Sequence, residues 1–424
     1  MASFQFLHCA DLHIDSPLRG LEADPDAPVE RIRNATRDAF TSLVDYAIEQ
    51  QVAFVLAAGD LYDGDWQDWR TGQFLIAQIG RLSRANIPFI AIQGNHDAES
   101  IITRHLKWDK PAHLFPASKA TSYWLPEFEV CIHGQSFATR RATDNLALDY
   151  PEPALDYFNI GLLHTAMDGR PGHDTYAPCH LEQLQSKGYQ YWALGHIHTR
   201  EQYGPGPWVV FPGNLQGRKI AEVGAKGAIL VTVHDGVPRE PEHLAFDTVR
   251  WHRLIVELPR DAEEDDALDL VRSGLSEALS RADGRLLAAR VVLTGACRAH
   301  TTLSPDLGAV REKIRAVALS CADPEAIWIE GVEVSTHPHI DAAGVRARAD
   351  AVGMLTQAID AVGFDDIRSD IQDYCRAMLD RGGDLRKALG SDHPAVKVLA
   401  DQELTAEFLE RARDLLLARL VAGE

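Results

Sequence analysis

Long apolar runs are missing from this 424-residue chain. Its most apolar stretches, such as Val52–Ala58, fall far short of the 18 or so residues a membrane helix needs, so no span is expected. Paired thiols are missing too. The six cysteines (9, 131, 179, 297, 321 and 375) lie far apart with no CxxC pair. The N-terminus lacks a basic flank and reaches Asp11 at once, without a secretory leader, so the expected setting is a reducing cytoplasm. Positive charge is scarce, with 42 Lys and Arg against 62 Asp and Glu and a net charge of −20. That excludes a sequence-blind nucleic-acid coat protein, whose binding runs on cations neutralising phosphates. The deficit is uneven: residues 1–100 carry 7 basic against 15 acidic groups, whereas 101–250 carry 14 against 16. No internal repeat or low-complexity tract occurs. What remains is an ordinary globular composition, 46% hydrophobic and 25% charged, which excludes a disordered or collagen-like chain. At about 150 residues per domain the length predicts two to three domains.

Residues 1–248 alternate short apolar runs with amphipathic stretches. Phe4–Ala10, Val52–Ala58, Phe89–Ile92, Ile160–Leu163 and Tyr191–Leu194 read as buried strands, with helices at 30–50 and 67–86. Trp208–Phe211, Ala228–Val233 and His243–Thr248 continue as strands between Gly/Pro turns. The expectation is one large α/β domain made of two sheet halves. Residues 249–335 predict a compact βαβαβ unit: strands at Trp251–Leu258, Ala289–Thr294 and Ala326–Val334, helices at 262–280 and 305–319. Ser335–His339 reads as a punctuating linker, and 336–424 as a helical region. Leu404, Phe408, Ala412, Leu415 and Leu416 form an apolar stripe within 402–421, suited to the chain's own helices or to a partner.

Five segments carry chemistry, each at the C-terminal end of a predicted strand, where α/β sheets favour ligand sites. They are Asp11-Leu-His13, Gly59-Asp-Leu-Tyr-Asp63, Gly94-Asn-His-Asp97, His164, and Gly195-His-Ile-His198. In an extended chain residues i and i+2 face the same way, so Asp11/His13 and His196/His198 can each aim two ligands at one pocket. Glycines 59, 94 and 195 permit tight turns and close backbone approach. These segments offer carboxylates, imidazoles and a carboxamide, more donors than one metal can use; two metals could share them, with one aspartate bridging. Alone, each piece is commonplace. In order at five strand ends, they are not. Cys9 abuts Asp11 and is expected to pack rather than ligate.

The order D-x-H, G-D-x-x-D, G-N-H-D, H, G-H-x-H resembles the calcineurin-like metallophosphoesterases, and within them the SbcD-type DNA-repair exonucleases. The segments HCADLHIDSPLRGL and FPGNLQGRKIAEVGAKGAILVTV resemble the YhaO-like bacterial branch. The resemblance implies a two-sheet αββα sandwich over 1–248, an α/β capping domain over 249–335 and a helical C-terminal region over 336–424. It implies one metal among Asp11, His13, Asp60 and His198, and a second among Asp60, Asn95, His164 and His196, with Asp60 shared. His96 would be the acid beside the scissile phosphate, held by Asp63. The N/O donor set suits Mn²⁺ and also admits Fe or Zn. A coiled-coil SbcC-like ATPase partner, docked through the C-terminal helices, and a homodimer through helices near 67–82 and 98–108 are further implications.

Three functions compete on the sequence. The first is a metal-dependent phosphodiesterase at DNA ends, with Arg140, Arg141, Arg218 and Lys219 as candidate DNA contacts. The second is a phosphatase or cyclic-nucleotide phosphodiesterase on small substrates. The third is a non-catalytic scaffold. The complete ligand set weighs against the scaffold, and the extra residues after the catalytic domain weigh against small substrates. Net charge weighs against DNA, although two bound dications would offset much of it locally.

Overall fold

The computed structural model describes residues 3–18, 24, 26–63, 69–98, 108, 110–168, 176–339, 345 and 347–361. Strands β1 (Phe4–Cys9), β2 (Phe54–Ala58) and β3 (Phe89–Ile92) form where their apolar runs predict them, with helices α1 (Val29–Glu49) and α2 (Trp69–Arg84) between them. Then come β4 (His113–Leu114), β5 (Thr121–Leu125), β6 (Val130–Gly134), β7 (Phe158–His164), α3 (Leu181–Ser186) and β8 (Tyr191–Gly195). The same domain continues with β9 (Glu201–Tyr203), β10 (Trp208–Phe211), β11 (Gly227–His234), β12 (Val237–Pro238) and β13 (Glu242–Ala245).

Two sheets result. The first runs β12-β11-β1-β2-β3-β4 with β13 paired to β11, and the second β5-β6-β7-β8-β10-β9. The period of two along each strand divides the core into layers. Phe4 and Phe6 of β1 and Phe54 and Leu56 of β2 face inward, where they meet Phe158 and Tyr191 of the second sheet. The Phe6 and Phe54 rings stack at 4.8 Å. Leu7, Cys9, Val55 and Ala57 face the other way, onto Phe40 and Leu43 of α1 and Leu75 and Leu82 of α2. Leu163, Trp192, Leu194 and Phe211 cover the outer face of the second sheet together with Leu184 of α3. This is the expected αββα sandwich.

Parallel pairing decides where the site falls. β1, β2 and β3 run parallel, as do β7 and β8. Their C-terminal ends therefore emerge at shared sheet edges.

The rest of the chain comprises β14 (Val249–Glu257), α4 (Glu264–Ala282), β15 (Leu286–Cys297), α5 (His300–Leu303), α6 (Leu307–Cys321), β16 (Ile327–Pro338) and α7 (Ala351–Ala361). The three strands form a sheet of order β14-β15-β16. Among the described residues, one compact unit holds those of 1–253, 277–289 and 322–330, and a second holds those of 254–276, 290–321 and from 331 onward. The first unit thus takes in more than residues 1–248. Trp251, Leu286, Ala288 and Trp328 cluster with Ile32 and Ala35 of α1 and belong to it. The linker expected at Ser335–His339 is corrected as well. β16 continues to Pro338, and the His339 N–H donates to Cys297 O at 3.2 Å, because these residues extend a ladder. The stripe in 402–421 and the segment 98–108 lie outside the described residues, apart from Ala98 and Trp108. Among the described residues no helix is long and apolar enough to cross a membrane.

Candidate metal centre

β1 ends at Cys9, after which Asp11 (φ 50°) and His13 (φ 44°) take left-handed conformations; Asp60 (φ 52°) follows β2, and His196 (φ 97°) follows β8. Non-glycine residues seldom occupy this region, and such strain gathers at functional sites. Backbone pairing holds it in place: Asp11 N–H donates to Gly59 O at 3.1 Å and His13 N–H to Asp60 O at 3.0 Å. The expected pairing of i and i+2 on an extended strand is therefore corrected. Asp11 and His13 converge because the chain turns, not because it is pleated.

Donor atoms fall into three groups, each within 4.8 Å: Asp11, His13 and His198; His13, Asp60 and His96; Asp11, Asp60 and His164. Asp60 stands between them. Its Oδ1 accepts the His96 N–H at 3.0 Å, while Oδ2 lies 3.9 Å from His13 Nε2 and 3.5 Å from His164 Nε2. Asn95 Oδ1 is 3.0 Å from His164 Nε2. The His196 ring lies beside that of His164, at 5.2 Å between centroids, and its backbone N–H donates to both oxygens of Asp11. The predicted ligands thus lie together, although Asn95 and His196 fall outside the three tight groups.

The imidazoles are oriented from behind. His13 Nδ1–H donates to Asp63 Oδ1 at 2.9 Å, His164 Nδ1–H to Ala58 O at 2.8 Å, and His198 Nδ1–H to Glu222 Oε1 at 3.0 Å. Metal-binding histidines are held in this way, the outer nitrogen fixing the tautomer. With both Nδ1 protons committed, the Nε2 lone pairs of His13 and His198 confront each other across 3.2 Å. Two lone pairs at that distance repel unless a cation lies between them. Electrostatics agree. Burial pushes the Asp11 carboxyl up to about 6. Burial would raise Asp60 as well, but attraction from His164, His13 and His96 outweighs it and holds Asp60 far down. The reciprocal attraction from Asp60 and Asp11 overcomes burial at His164 and pushes it up to about 9. A buried pocket that draws positive charge this strongly fits divalent cations.

Asp63 is where the motif places it and does more than expected. Its Oδ1 accepts from His96 Nδ1 at 2.6 Å as well as from His13, so one oxygen serves a ligand and the candidate acid together. That hydrogen bond raises the His96 pKa. Cys9 packs as expected: its thiol donates to Leu56 O at 3.3 Å, and burial pushes its pKa up to about 12. Arg140, Arg141 and Lys219 are exposed. Arg218 is not available as a surface phosphate contact. Its side chain is 13% exposed and its guanidinium is taken up by Asp63 and Glu222.

Two residues went unassigned in the sequence reading. Asp97 is buried and accepts backbone N–H groups from Leu61, Tyr62 and Gly94, all at 3.1 Å, locking the Asp60 turn to the Asn95–His96 turn. It closes the Gly-Asn-His-Asp motif, which is the signal that could have found it. Glu222 lies within the quoted FPGNLQGRKIAEVGAKG segment, but no spacing rule links it to His198.

Close approach explains two of the glycines. Gly59 has φ 90°, and a Cβ there would lie 2.5 Å from His164 Nδ1. At Gly94 a Cβ would lie 2.2 Å from Asp60 Oδ1. Gly94→Ala is therefore expected to displace the Asp60 carboxylate and weaken metal retention by at least about tenfold, the scale of orienting contacts around a metal. Metal content after dialysis checks this. Retention equal to wild type would show that the carboxylate has room to move.

The fold and donor set together define a metal centre at the strand ends of a two-sheet sandwich. Residues 4–200 match the calcineurin-like phosphoesterase family, and residues 251–337 match the middle domain of metallophosphoesterase YhaO. The uncharacterized metallophosphoesterase YhaO of Bacillus subtilis (strain 168) is 32% identical over 299 residues, covering 70% of this chain and 72% of the relative. The DNA double-strand break repair protein Mre11 of Sulfurisphaera tokodaii is 26% identical over 236 residues, covering 54% and 55%. Mre11 of Saccharolobus solfataricus is 28% identical over 210 residues, covering 46% and 50%. The chain spans about half the length of these Mre11 relatives. It belongs to the calcineurin-like metallophosphoesterases, in the YhaO-like family, and such phosphoesterases use a dinuclear divalent metal site.

Proposed function

We propose that this chain is a DNA phosphodiesterase acting at or near ends. The observation that carries the hydrolytic reading is the placement of His96, bound through Nδ1 to Asp63 at the rim of the donor groups and 43% exposed. The likeness to Mre11 supports DNA as the substrate class. Asp11, His13, Asp60 and His198 would hold one cation, and Asp60, Asn95, His164 and His196 the other; the N/O donors suit Mn²⁺ and also admit Fe or Zn, and the family resemblance favours Mn²⁺. When bound, the cations supply Lewis acidity, lowering the pKa of water and stabilising charge on phosphate oxygens. The protein's own part is to hold and deliver a proton. Asp63 accepts from His96 Nδ1, which leaves Nε2 as the ring's remaining proton site, available to the leaving oxygen. Asp97 keeps the His96 turn in register with Asp60.

Linear duplex DNA and bis(p-nitrophenyl) phosphate, each incubated with Mn²⁺, separate the substrate classes. The DNA should be shortened from its ends, with binding that weakens as salt rises. Turnover of the small diester with DNA left intact would favour the phosphatase or cyclic-nucleotide reading. As further parts of the proposal, the chain pairs with a second copy and with a coiled-coil ATPase through its C-terminal region. Co-purification of full-length protein and sizing in solution test both; a lone monomer that retains no ATPase defeats them.

A further inference from the structure

Behind the donor groups lies a link between histidine supports that no motif announces. Arg218 Nη1 donates to Asp63 Oδ2 at 3.0 Å and to Ser16 Oγ at 3.2 Å, and Nη2 donates to Glu222 Oε1 at 3.3 Å. Asp63 and Glu222 are the carboxylates that accept from the Nδ1 atoms of His13 and His198. One guanidinium therefore closes a ring through both imidazoles: Arg218, Asp63, His13, then across the 3.2 Å gap to His198, Glu222 and back. The far side of the ring is equally tied. Glu222 Oε2 accepts from Asn214 Nδ2 at 2.9 Å and from the Arg218 backbone N–H at 2.8 Å, and Lys226 Nζ donates to His198 O at 2.7 Å. Chain positions 13 and 63 are thereby pinned to 198 and 222 at the seam between strand ends of the two sheets.

We propose that Arg218 is a positioning residue, whose cross-link between Asp63 and Glu222 sets the separation of the His13 and His198 nitrogens that share one metal. The proposal rests on reading the site as a dinuclear centre and adds which residue governs one half of it. At the other site His164 bonds to Ala58 O and Asn95 Oδ1, and neither His164 nor Asn95 has a bond to Arg218 among the described contacts, so the effect should be confined to one site. A planar fork can hold two carboxylates at a fixed spacing. A lysine carries the same charge on a single point and cannot.

Calorimetric titration of the metal-free full-length protein with Mn²⁺ tests this. Wild type should bind two ions. Arg218→Met and Arg218→Lys should each weaken one of them by about 10- to 100-fold and leave the other within a few-fold, the range of supporting contacts around a metal. Glu222→Gln, which preserves shape, should weaken the same ion and keeps the test open if Arg218→Met fails to fold. Because both residues act through one link, Arg218→Lys combined with Glu222→Gln should be no worse than the poorer single variant. Full rescue by lysine, equal weakening of both ions, additive losses or no change would each overturn the cross-link. A wild-type protein that binds fewer than two Mn²⁺ would instead overturn the dinuclear reading itself.

Discussion

Asp60→Ala is expected to remove at least one metal per chain and to lower phosphodiester hydrolysis by about a thousandfold or more. The carboxylate is within reach of both sets of ligands, since Oδ2 lies 3.9 Å from His13 Nε2 and 3.5 Å from His164 Nε2. A metal supplies several kcal/mol of charge stabilisation, and each 1.36 kcal/mol is worth about tenfold in rate. The fold should persist. Asp60 lies outside the apolar clusters that join the sheets and helices. Its removal also relieves repulsion on Asp11 and Asp97, whose pKa values are raised by burial and, further, by the Asp60 charge. Metal analysis of the purified variant, with circular dichroism as the control for folding, checks the expectation. Two metals retained per chain would defeat the bridging assignment.

His96→Asn should behave in the opposite way: metal content near wild type, with hydrolysis lower by about 10²- to 10⁴-fold, the range of general acid catalysis. Its imidazole is bound to Asp63 Oδ1 at 2.6 Å, and its backbone N–H, which asparagine keeps, donates to Asp60 Oδ1. The substitution removes a proton donor without removing that backbone contact. His96 does fall in one donor group with His13 and Asp60. Loss of a metal in His96→Asn would therefore make it a ligand, and unchanged turnover would place the acid elsewhere. The contrast between the two variants is sharper than either alone, because one tests the charge of the site and the other its proton.

Much of this site was legible because each functional segment follows a buried strand. The run Val52–Ala58 is too apolar to be anything but interior, so Gly59 and Asp60 had to fall at a strand end. The same logic located Asn95 after Phe89–Ile92 and His196 after Tyr191–Leu194. Weakly patterned strands were not legible. β5 is half-buried along its length and exposes Trp124, so its sequence does not alternate cleanly. β6 is five buried residues that include a cysteine and a histidine, too short for periodicity to stand out.

By itself, then, the sequence determined which residue types sit at which strand ends, because burial and turn chemistry are local properties of the chain. It also carried the family's order of motifs. Tertiary structure alone decided how those ends converge. Asp11 and His13 meet through left-handed turns, which a pattern of alternation misreads as strand. Asp97 acquires its purpose only when two separate turns offer it three N–H groups. Arg218 reads in sequence as a candidate DNA contact, with nothing in the pattern to mark Asp63 as its partner. In space it is enclosed by Asp63, 155 positions away, and by Glu222, four residues on. A charge that distant in the chain leaves no periodic trace, and a buried guanidinium is stable only where such partners are brought to it.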